Sequence, residues 1–315
     1  MRILVIGAGA VGGYFGARLT AAGRDVTFLV REARARQLAA NGLHVLSPHD
    51  TFSIQPKLLL AADIATPYDV ILVSTKAYQL AAAMQDFAPA VGPETAILPL
   101  LNGMAHLDTL VARFGEAAVL GGSTRIVADL DAEGCVHSME DLHDLNFGER
   151  DKIVTPRVQR IEAAFRDCGF KSILQPDILA FMWQKWTLLA SLGSITCLLR
   201  GSIGQVAAAP GGVELARAIL HECASIAHDA GYPIPQETLK QISTRFTTPG
   251  SPLTASMYRD MSKGAPVEAD HILGDLLRRG RSYGLDTPLI QAAYTQLSIY
   301  AAARESERGL AGDHS

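Results

Sequence analysis

The first half of the chain alternates short, continuously apolar runs with helical patterns. Residues 3–6 and 26–30 read as strands, with an Ala- and Gly-rich helix over 10–22 between them and Gly23 as its C-terminal stop. Residues 70–74, 96–101 and 118–121 are further strand candidates, and 77–87 has a helical pattern. Strands that are apolar along their whole length and alternate with helices predict a parallel sheet covered on both faces. From Ile126 to Phe147 the pattern changes to short extended runs around Asp131-Ala132-Glu133-Gly134, expected to pair antiparallel. A helix over 156–167 and a strand at 172–174 complete this half.

Gln175-Pro176-Asp177 marks a boundary, since Pro disfavours helix before it and Asp177 can cap a helix after it. Beyond it the pattern is almost wholly helical, with breaks at 209–212, 231–233 and 248–250. The pattern therefore predicts an α/β unit over 1–175, an all-helical unit over 176–305 and a polar tail over 306–315 that frays. The longest apolar stretch, 186–199, falls short of a membrane span and carries Ser, Gly and Thr, so it reads as a helix buried between the two.

Composition fits this division. The 315 residues are 48% hydrophobic and 19% charged, enough apolar material for sizeable cores and too little charge for a disordered chain. A formal charge of −4, with the 28 Lys and Arg scattered, argues against a nucleic-acid or anionic-membrane partner and leaves a small molecule as the expected one. Cys135, Cys168, Cys197 and Cys223 lie far apart without metal-type spacing. The apolar run at the start stops at Gly7, too soon for a signal peptide. Free thiols and no secretion signal point to a cytoplasmic protein without a structural metal.

The strongest local signal is Gly7-Ala8-Gly9-Ala10-Val11-Gly12-Gly13, a G-x-G-x-x-G between the first strand and the first helix. Gly7 permits a tight turn, Gly9 lets the backbone approach a pyrophosphate, and Gly12 allows close helix–strand packing; the helix N-terminus offers N–H donors to phosphate. In this strand–turn–helix context the motif predicts a Rossmann-type doubly wound fold that binds a dinucleotide. An NAD enzyme usually ends the second strand with Asp or Glu, which holds the ribose 2′-hydroxyl. Here the strand ends in Arg31, suited to the 2′-phosphate of NADP. Glu32 opposes that charge locally, and Arg34 and Arg36 restore it.

Six segments together resemble the ketopantoate (2-dehydropantoate) reductase family. They are the run from Gly7 to Arg18, Ser74-Thr75-Lys76-Ala77-Tyr78-Gln79, Leu101-Asn102-Gly103-Met104, Trp183-Gln184-Lys185, Ala255-Ser256-Met257 and Glu268-Ala269-Asp270. The resemblance implies NADPH-dependent reduction of a 2-oxo acid to a 2-hydroxy acid, a Rossmann-type domain followed by a helical one, and a homodimer in some members. It implies that Lys185 is the general acid, that Glu268 assists it, that Ser256 holds the substrate carboxylate, and that Lys76 and Asn102 lie beside nicotinamide and substrate. Chemistry agrees on the need for a positioned cation, because hydride arriving at a carbonyl leaves charge on oxygen. Taken singly, Lys76, Asn102 and Glu268 also read as a surface residue, a turn and a solvated helix residue; the set in family order is what carries the function.

The chain departs from the resemblance at three places. The family's two asparagines, four and eight residues after the lysine, are here Leu189 and Gly193, and an asparagine after the glutamate is here Leu273. Steps of four keep Leu189 and Gly193 near the face of Lys185, about 40° apart each time. Their loss predicts a more apolar and locally roomier pocket, which leaves ketopantoate itself as one candidate substrate and another, more apolar 2-oxo acid or ketone as the other. Thr196 returns to the same face, and its hydroxyl is a candidate replacement for the missing amide. Two other readings stay open: a non-catalytic NADPH-binding sensor or scaffold, and a related dehydrogenase of another hydroxy acid or a sugar phosphate. The last needs a basic pocket, for which Arg278-Arg279-Gly280-Arg281 is the candidate, otherwise a solvated helix end. Glu140-Asp141-Leu142-His143-Asp144 reads as a solvated loop, and His221, His228 and His271 as ordinary helix histidines.

Overall fold

The computed structural model describes residues 1–48 and 50–312, with side chains as far as 307. The chain folds as two compact units, one of residues 1–102 and 106–181, the other of 103–105 and the chain from Met182 onward.

In the first unit the apolar runs form a five-stranded sheet. Its strands are β1 (Arg2–Ile6) and β2 (Asp25–Leu29), joined by α1 (Ala10–Ala21), and three strands further along the chain. After β2 come α2 (Glu32–Asn41), β3 (Leu43–Leu46), β4 (Thr51–Ile54) and β5 (Lys57–Leu59), then β6 (Val70–Val73), α3 (Leu80–Phe87) and β7 (Ala96–Pro99). The sheet order is β5-β2-β1-β6-β7 with every pairing parallel. β6 and β7 are buried at every position, as strands covered on both faces must be. Register leaves the strand ends level, since Ile6 lies opposite Leu29 and Val73, and Val73 opposite Pro99.

Two smaller sheets flank this one. α4 (Ala105–Phe114) leads to β8 (Gly121–Arg125), β9 (Ala128–Leu130), β10 (Val136–Ser138) and β11 (Asp144–Gly148), followed by α5 (Pro156–Phe165) and β12 (Lys171–Leu174). β9 and β10 pair antiparallel, and β10 joins β3 to complete the order β4-β3-β10-β9; the other sheet is β12-β11-β8. The strand expected at 118–121 is instead a 3-10 turn at Glu116–Ala118, a single parallel bridge from Val119 to Ile97, and the start of β8. α1 packs against β1 and β2 and also against β3, β4, β9 and β10, so Gly12 to Leu19 are all buried. That double packing accounts for its small residues. A Cβ at Gly16 would stand 2.6 Å from the Phe28 ring, and one at Gly13 2.9 Å from Val136 Cγ2.

The boundary lies inside a helix rather than at Gln175-Pro176-Asp177. α6 (Ile178–Leu199) begins with Asp177 Oδ1 accepting the Ala180 N–H at 3.1 Å, and the second unit starts within it at Met182. α7 (Ile203–Ala208), α8 (Gly212–Asp229), α9 (Gln236–Phe246) and α10 (Ser256–Ser262) follow. A five-residue π-helical turn, Asp270–Gly274, then leads into α11 (Asp275–Ser282). α8 packs against α7, α9, α11 and α12 (Pro288–Gly312), and Glu222 on α8 accepts the Leu289 and Ile290 N–H groups at the start of α12. The core beside it gathers Ile195, Ile203, Ile219, Ile242 and Phe246, each side chain contributing about 1.5–3 kcal/mol by burial. α12 runs to Gly312, so the tail expected from 306 begins within it; residues 313–315 lie outside those described. Among the described residues no helix is long and apolar enough to cross a membrane.

Candidate functional site

Each of the four level strand ends in the first unit is followed by a residue of the predicted site. Gly7 follows β1 in the left-handed region at φ 87° and donates its N–H to Leu29 O at 3.1 Å. A Cβ there would be in ordinary contact with Thr75 Cγ2, so the constraint is conformational. At Gly12 the constraint is space: a Cβ would stand 2.0 Å from Ser74 Oγ and 2.3 Å from Gly7 O. Ser74 Oγ also donates to Ile6 O at 2.9 Å, tying the end of β6 to that of β1. Above Gly9 no atom lies within 4 Å of where a Cβ would be. The three glycines do three different things: turn, pack and leave room.

Gly9 is the N-cap of α1 with no side-chain cap, and no acidic residue sits in the first turn. The N–H groups of Ala10, Val11 and Gly12 therefore lie in the unpaired first turn of a helix whose positive end faces the loop. Arg31, two residues past β2, is exposed; its carbonyl accepts the Ala35 N–H at 2.9 Å as the N-cap of α2, while its guanidinium has no hydrogen bond or ion pair among the described residues. Lys76 follows β6 at the N-cap of a 3-10 turn and is exposed. Asn102, half-buried, follows β7. In the order β5-β2-β1-β6-β7 the chain winds outward from β1 through β2 to β5 and then crosses back to β6 and on to β7, so the winding reverses between β1 and β6, and ligands of open α/β sheets bind at such a switch point. Uncapped N–H groups, open space over Gly9 and an exposed guanidinium are the donor set that a pyrophosphate and a 2′-phosphate require. The Thr75 hydroxyl, buried next to this loop, has no partner among the described residues.

In the second unit α6 is the organising element. Lys185 is half-buried on it between Trp183 and Trp186, whose ring centroids are 4.8 Å apart. Trp183 stacks on Tyr232, and Trp186 donates its indole N–H to Ile272 O at 3.0 Å. Ile272 in turn donates its N–H to Glu268 O at 3.0 Å. α6 is thereby linked to the π turn at whose head Glu268 stands. Widened turns of this kind recur at functional sites. The turn is braced from outside by Asp270, which accepts from Arg278 and from the Tyr294 hydroxyl; the Arg278 bond holds its carboxyl below the usual range.

Thr196 has a different place from the one expected. It is fully buried; its hydroxyl donates to Leu192 O at 2.7 Å and accepts the Ala255 N–H at 3.4 Å. A hydroxyl so enclosed presents nothing to a substrate. It fixes the segment that starts α10, where Ser256 is exposed. At Gly193 a Cβ would stand 2.5 Å from Met257 Cε, the far end of a flexible side chain, so Met257 is the neighbour that borders this position. Leu273 is wholly buried in the π turn, a core residue.

The competing chemistries lose their residues in the same way. Arg278 and Arg279 pair with Asp270 and Asp275, and Arg281 bonds Gln291, so the basic cluster is spent within the unit. The segment 140–144 is not wholly a solvated loop: Asp144 is buried on β11 against Arg125, and the His143 ring bonds the Tyr14 hydroxyl. Burial pushes the Cys197 and Cys223 thiols up to about 12, which keeps them from nucleophilic work. Among the described residues no group of His, Cys, Asp and Glu is arranged to hold a metal ion. Sequence reasoning reads Arg34 only as added positive charge near the cofactor, and Trp186 and Met257 only as neighbours of Lys185 and Ser256. Their contacts with Ala8 and Gly134, with Ile272, and beside Gly193 were not foreseen.

Comparison with known proteins places the whole chain. The family profile described as "Ketopantoate reductase PanE/ApbA" matches residues 3–152, and that described as "Ketopantoate reductase PanE/ApbA C terminal" matches 177–301. The uncharacterized oxidoreductase YkpB of Bacillus subtilis is 34% identical over 304 residues, 96% of this chain and 100% of that protein. The crystal structure of 2-dehydropantoate 2-reductase from Geobacter metallireducens superposes with a TM-score of 0.86 at 27% identity, covering 95% of this chain and 99% of the other. At 20% identity and a TM-score of 0.85, D-mandelate dehydrogenase in a ternary structure with NADH and anilino(oxo)acetate shares the fold over 97% of this chain and 99% of its own. A Rossmann-type parallel sheet with its glycine loop, a helical second unit and matches spanning both lead to one assignment: this chain belongs to the ketopantoate reductase family of oxidoreductases, which bind a nicotinamide cofactor.

Proposed function

We propose that the protein reduces a 2-oxo acid to the 2-hydroxy acid with NADPH, and that its substrate is more apolar than ketopantoate. The observation that carries the reading is the α6 framework. Half-buried Lys185 stands on α6 between Trp183 and Trp186 in the chain, two residues whose rings pack on each other, with Ser256 and Glu268 on segments hydrogen-bonded or linked to the same helix. Bound in the glycine loop, the nicotinamide cofactor supplies the hydride. The remaining work belongs to the chain. Lys185 Nζ holds the proton that the carbonyl oxygen needs as charge develops on it, and Glu268 keeps the ammonium oriented. Ser256 offers its exposed hydroxyl to the carboxylate; within the first unit, Lys76 and Asn102 are assigned to the nicotinamide cofactor.

NADPH over NADH rests on the exposed guanidinium of Arg31 where an acidic residue would serve NAD. The fold alone does not decide, since D-mandelate dehydrogenase has it with NADH. An apolar substrate is favoured because Leu189 and the Met257 methyl over Gly193 replace amides on the Lys185 side of α6. The anilino(oxo)acetate held by D-mandelate dehydrogenase, an aryl oxamate, has the shape of an apolar aryl 2-oxo acid. Lys185→Ala should leave NADPH binding intact and lower kcat by about 10²–10⁴ on any 2-oxo acid the wild type turns over. Retention of most of the turnover would remove Lys185 as the acid.

A further inference from the structure

Three arginines follow β2, and one of them turns back into the fold. Arg34 Nη2 donates to Ala8 O and to Gly134 O, each at 3.0 Å, and Nη1 donates to Gln37 Oε1 at 2.6 Å. Gln37 Nε2 donates to Glu133 O at 2.8 Å. One side-chain pair on α2 thus holds the glycine loop between β1 and α1 and the tip of the β9–β10 hairpin.

The tip is built to be held. Asp131 Oδ1 accepts the Cys135 N–H at 2.7 Å and Asp131 O accepts the Gly134 N–H at 3.1 Å, closing the turn. Gly134 is at φ 85°, and a Cβ there would stand 2.1 Å from Arg34 Nη1, so the guanidinium occupies the space a side chain would take. The Ala8–Gly9 peptide is trans, as are all peptide bonds among the described residues. Its N–H therefore points away from the carbonyl that Arg34 holds, and fixing the carbonyl fixes the direction of the N–H. β10, beyond the hairpin tip, also packs on α1 through Val136.

We propose that Arg34 is a positioning residue for the dinucleotide site. It pins the Ala8 carbonyl and latches the hairpin tip, and so sets the affinity for NADPH and NADH alike. Arg31, two residues beyond β2 and with a guanidinium that has no partner among the described residues, differs in reading only the 2′-phosphate. The inference rests on the glycine loop being a dinucleotide site.

The test measures binding by titration calorimetry on the full-length protein, with NADPH, NADH and 2′-AMP as probes, and needs no substrate. 2′-AMP carries the 2′-phosphate and no pyrophosphate, so it reports on the phosphate pocket without the glycine loop. Arg34→Ala should weaken NADPH and NADH by the same factor, about ten-fold for one to two net hydrogen bonds, and leave 2′-AMP unchanged. Arg34→Lys, able to reach one carbonyl, should recover part of the loss. Arg31→Ala should weaken NADPH and 2′-AMP and spare NADH. Loss of 2′-AMP binding in Arg34→Ala, or loss of NADPH with NADH spared, would overturn the proposal and make Arg34 a phosphate ligand. Unchanged binding of both dinucleotides would overturn it as well. Wild-type protein that binds neither dinucleotide would overturn the dinucleotide reading beneath it, a result distinct from both.

Discussion

Arg31 and Arg34 differ by three positions and by where their guanidinium groups end. One is exposed at a strand end, the other laced to two backbone carbonyls. The sequence offers only a cluster of positive charge, since nothing in it says which side chain turns inward. For Arg31 the consequence is cofactor choice: Arg31→Ala should weaken NADPH by about ten- to hundred-fold and barely change NADH, the scale of hydrogen bonds to a charged group. Equal losses would show that Arg31 does not read the 2′-phosphate. The proposed preference for an apolar substrate makes a matching prediction for Leu189. Leu189→Asn should raise kcat/KM for ketopantoate by about two- to ten-fold, one net hydrogen bond, and lower it for bulky apolar 2-oxo acids. Efficient ketopantoate turnover by the wild type, unchanged in this variant, would mean that the lost amides say little about specificity. At Gly193 the same restoration requires the Met257 side chain to move aside, because its Cε stands 2.5 Å from where a Cβ would be.

At the scale of elements, α6 is the case where pattern and structure agree on place and differ on purpose. Its apolar run made it legible as a buried helix, and Asp177 was legible as its cap. Thr196 was read from helical angle alone, which places a residue on a face and cannot say what stands against that face. Ala255 does, through its N–H. Thr196→Val keeps the shape and removes the link, leaving the Ala255 N–H without its buried acceptor. It should cost about 1–3 kcal/mol in thermal or denaturant unfolding. It should also raise KM for the 2-oxo acid with NADPH affinity unaltered, because Ser256 follows directly. An unmoved KM in a destabilised variant would leave Thr196 a core residue with no bearing on the site. The π turn and the strands β3 to β5 were not legible. A π turn depends on contacts such as Trp186 to Ile272, remote in sequence, and strands of three or four half-exposed residues are too short for an alternating pattern to register.

At the scale of the whole molecule, the doubly wound first unit and helical second unit were legible because each rests on periodicity over many residues. The division at Met182 falls a few residues inside α6, after the expected boundary at 175, while the second family profile begins at 177. The glycine loop was legible because backbone conformation and close packing demand glycine, as the φ of Gly7 and the space at Gly12 attest. The substrate side was not, since Met257 and Trp186 act through tertiary contacts. The account as a whole stands on reduction of an apolar 2-oxo acid by NADPH. Its most direct measurement is steady-state NADPH oxidation by the wild-type protein across 2-oxo acids graded from ketopantoate to aliphatic and aryl members, repeated with NADH. The account predicts turnover with NADPH that exceeds turnover with NADH, with kcat/KM highest for an apolar member. No oxidation of either cofactor with any 2-oxo acid, in protein that binds NADPH, would contradict it and leave a nucleotide-binding protein without this chemistry.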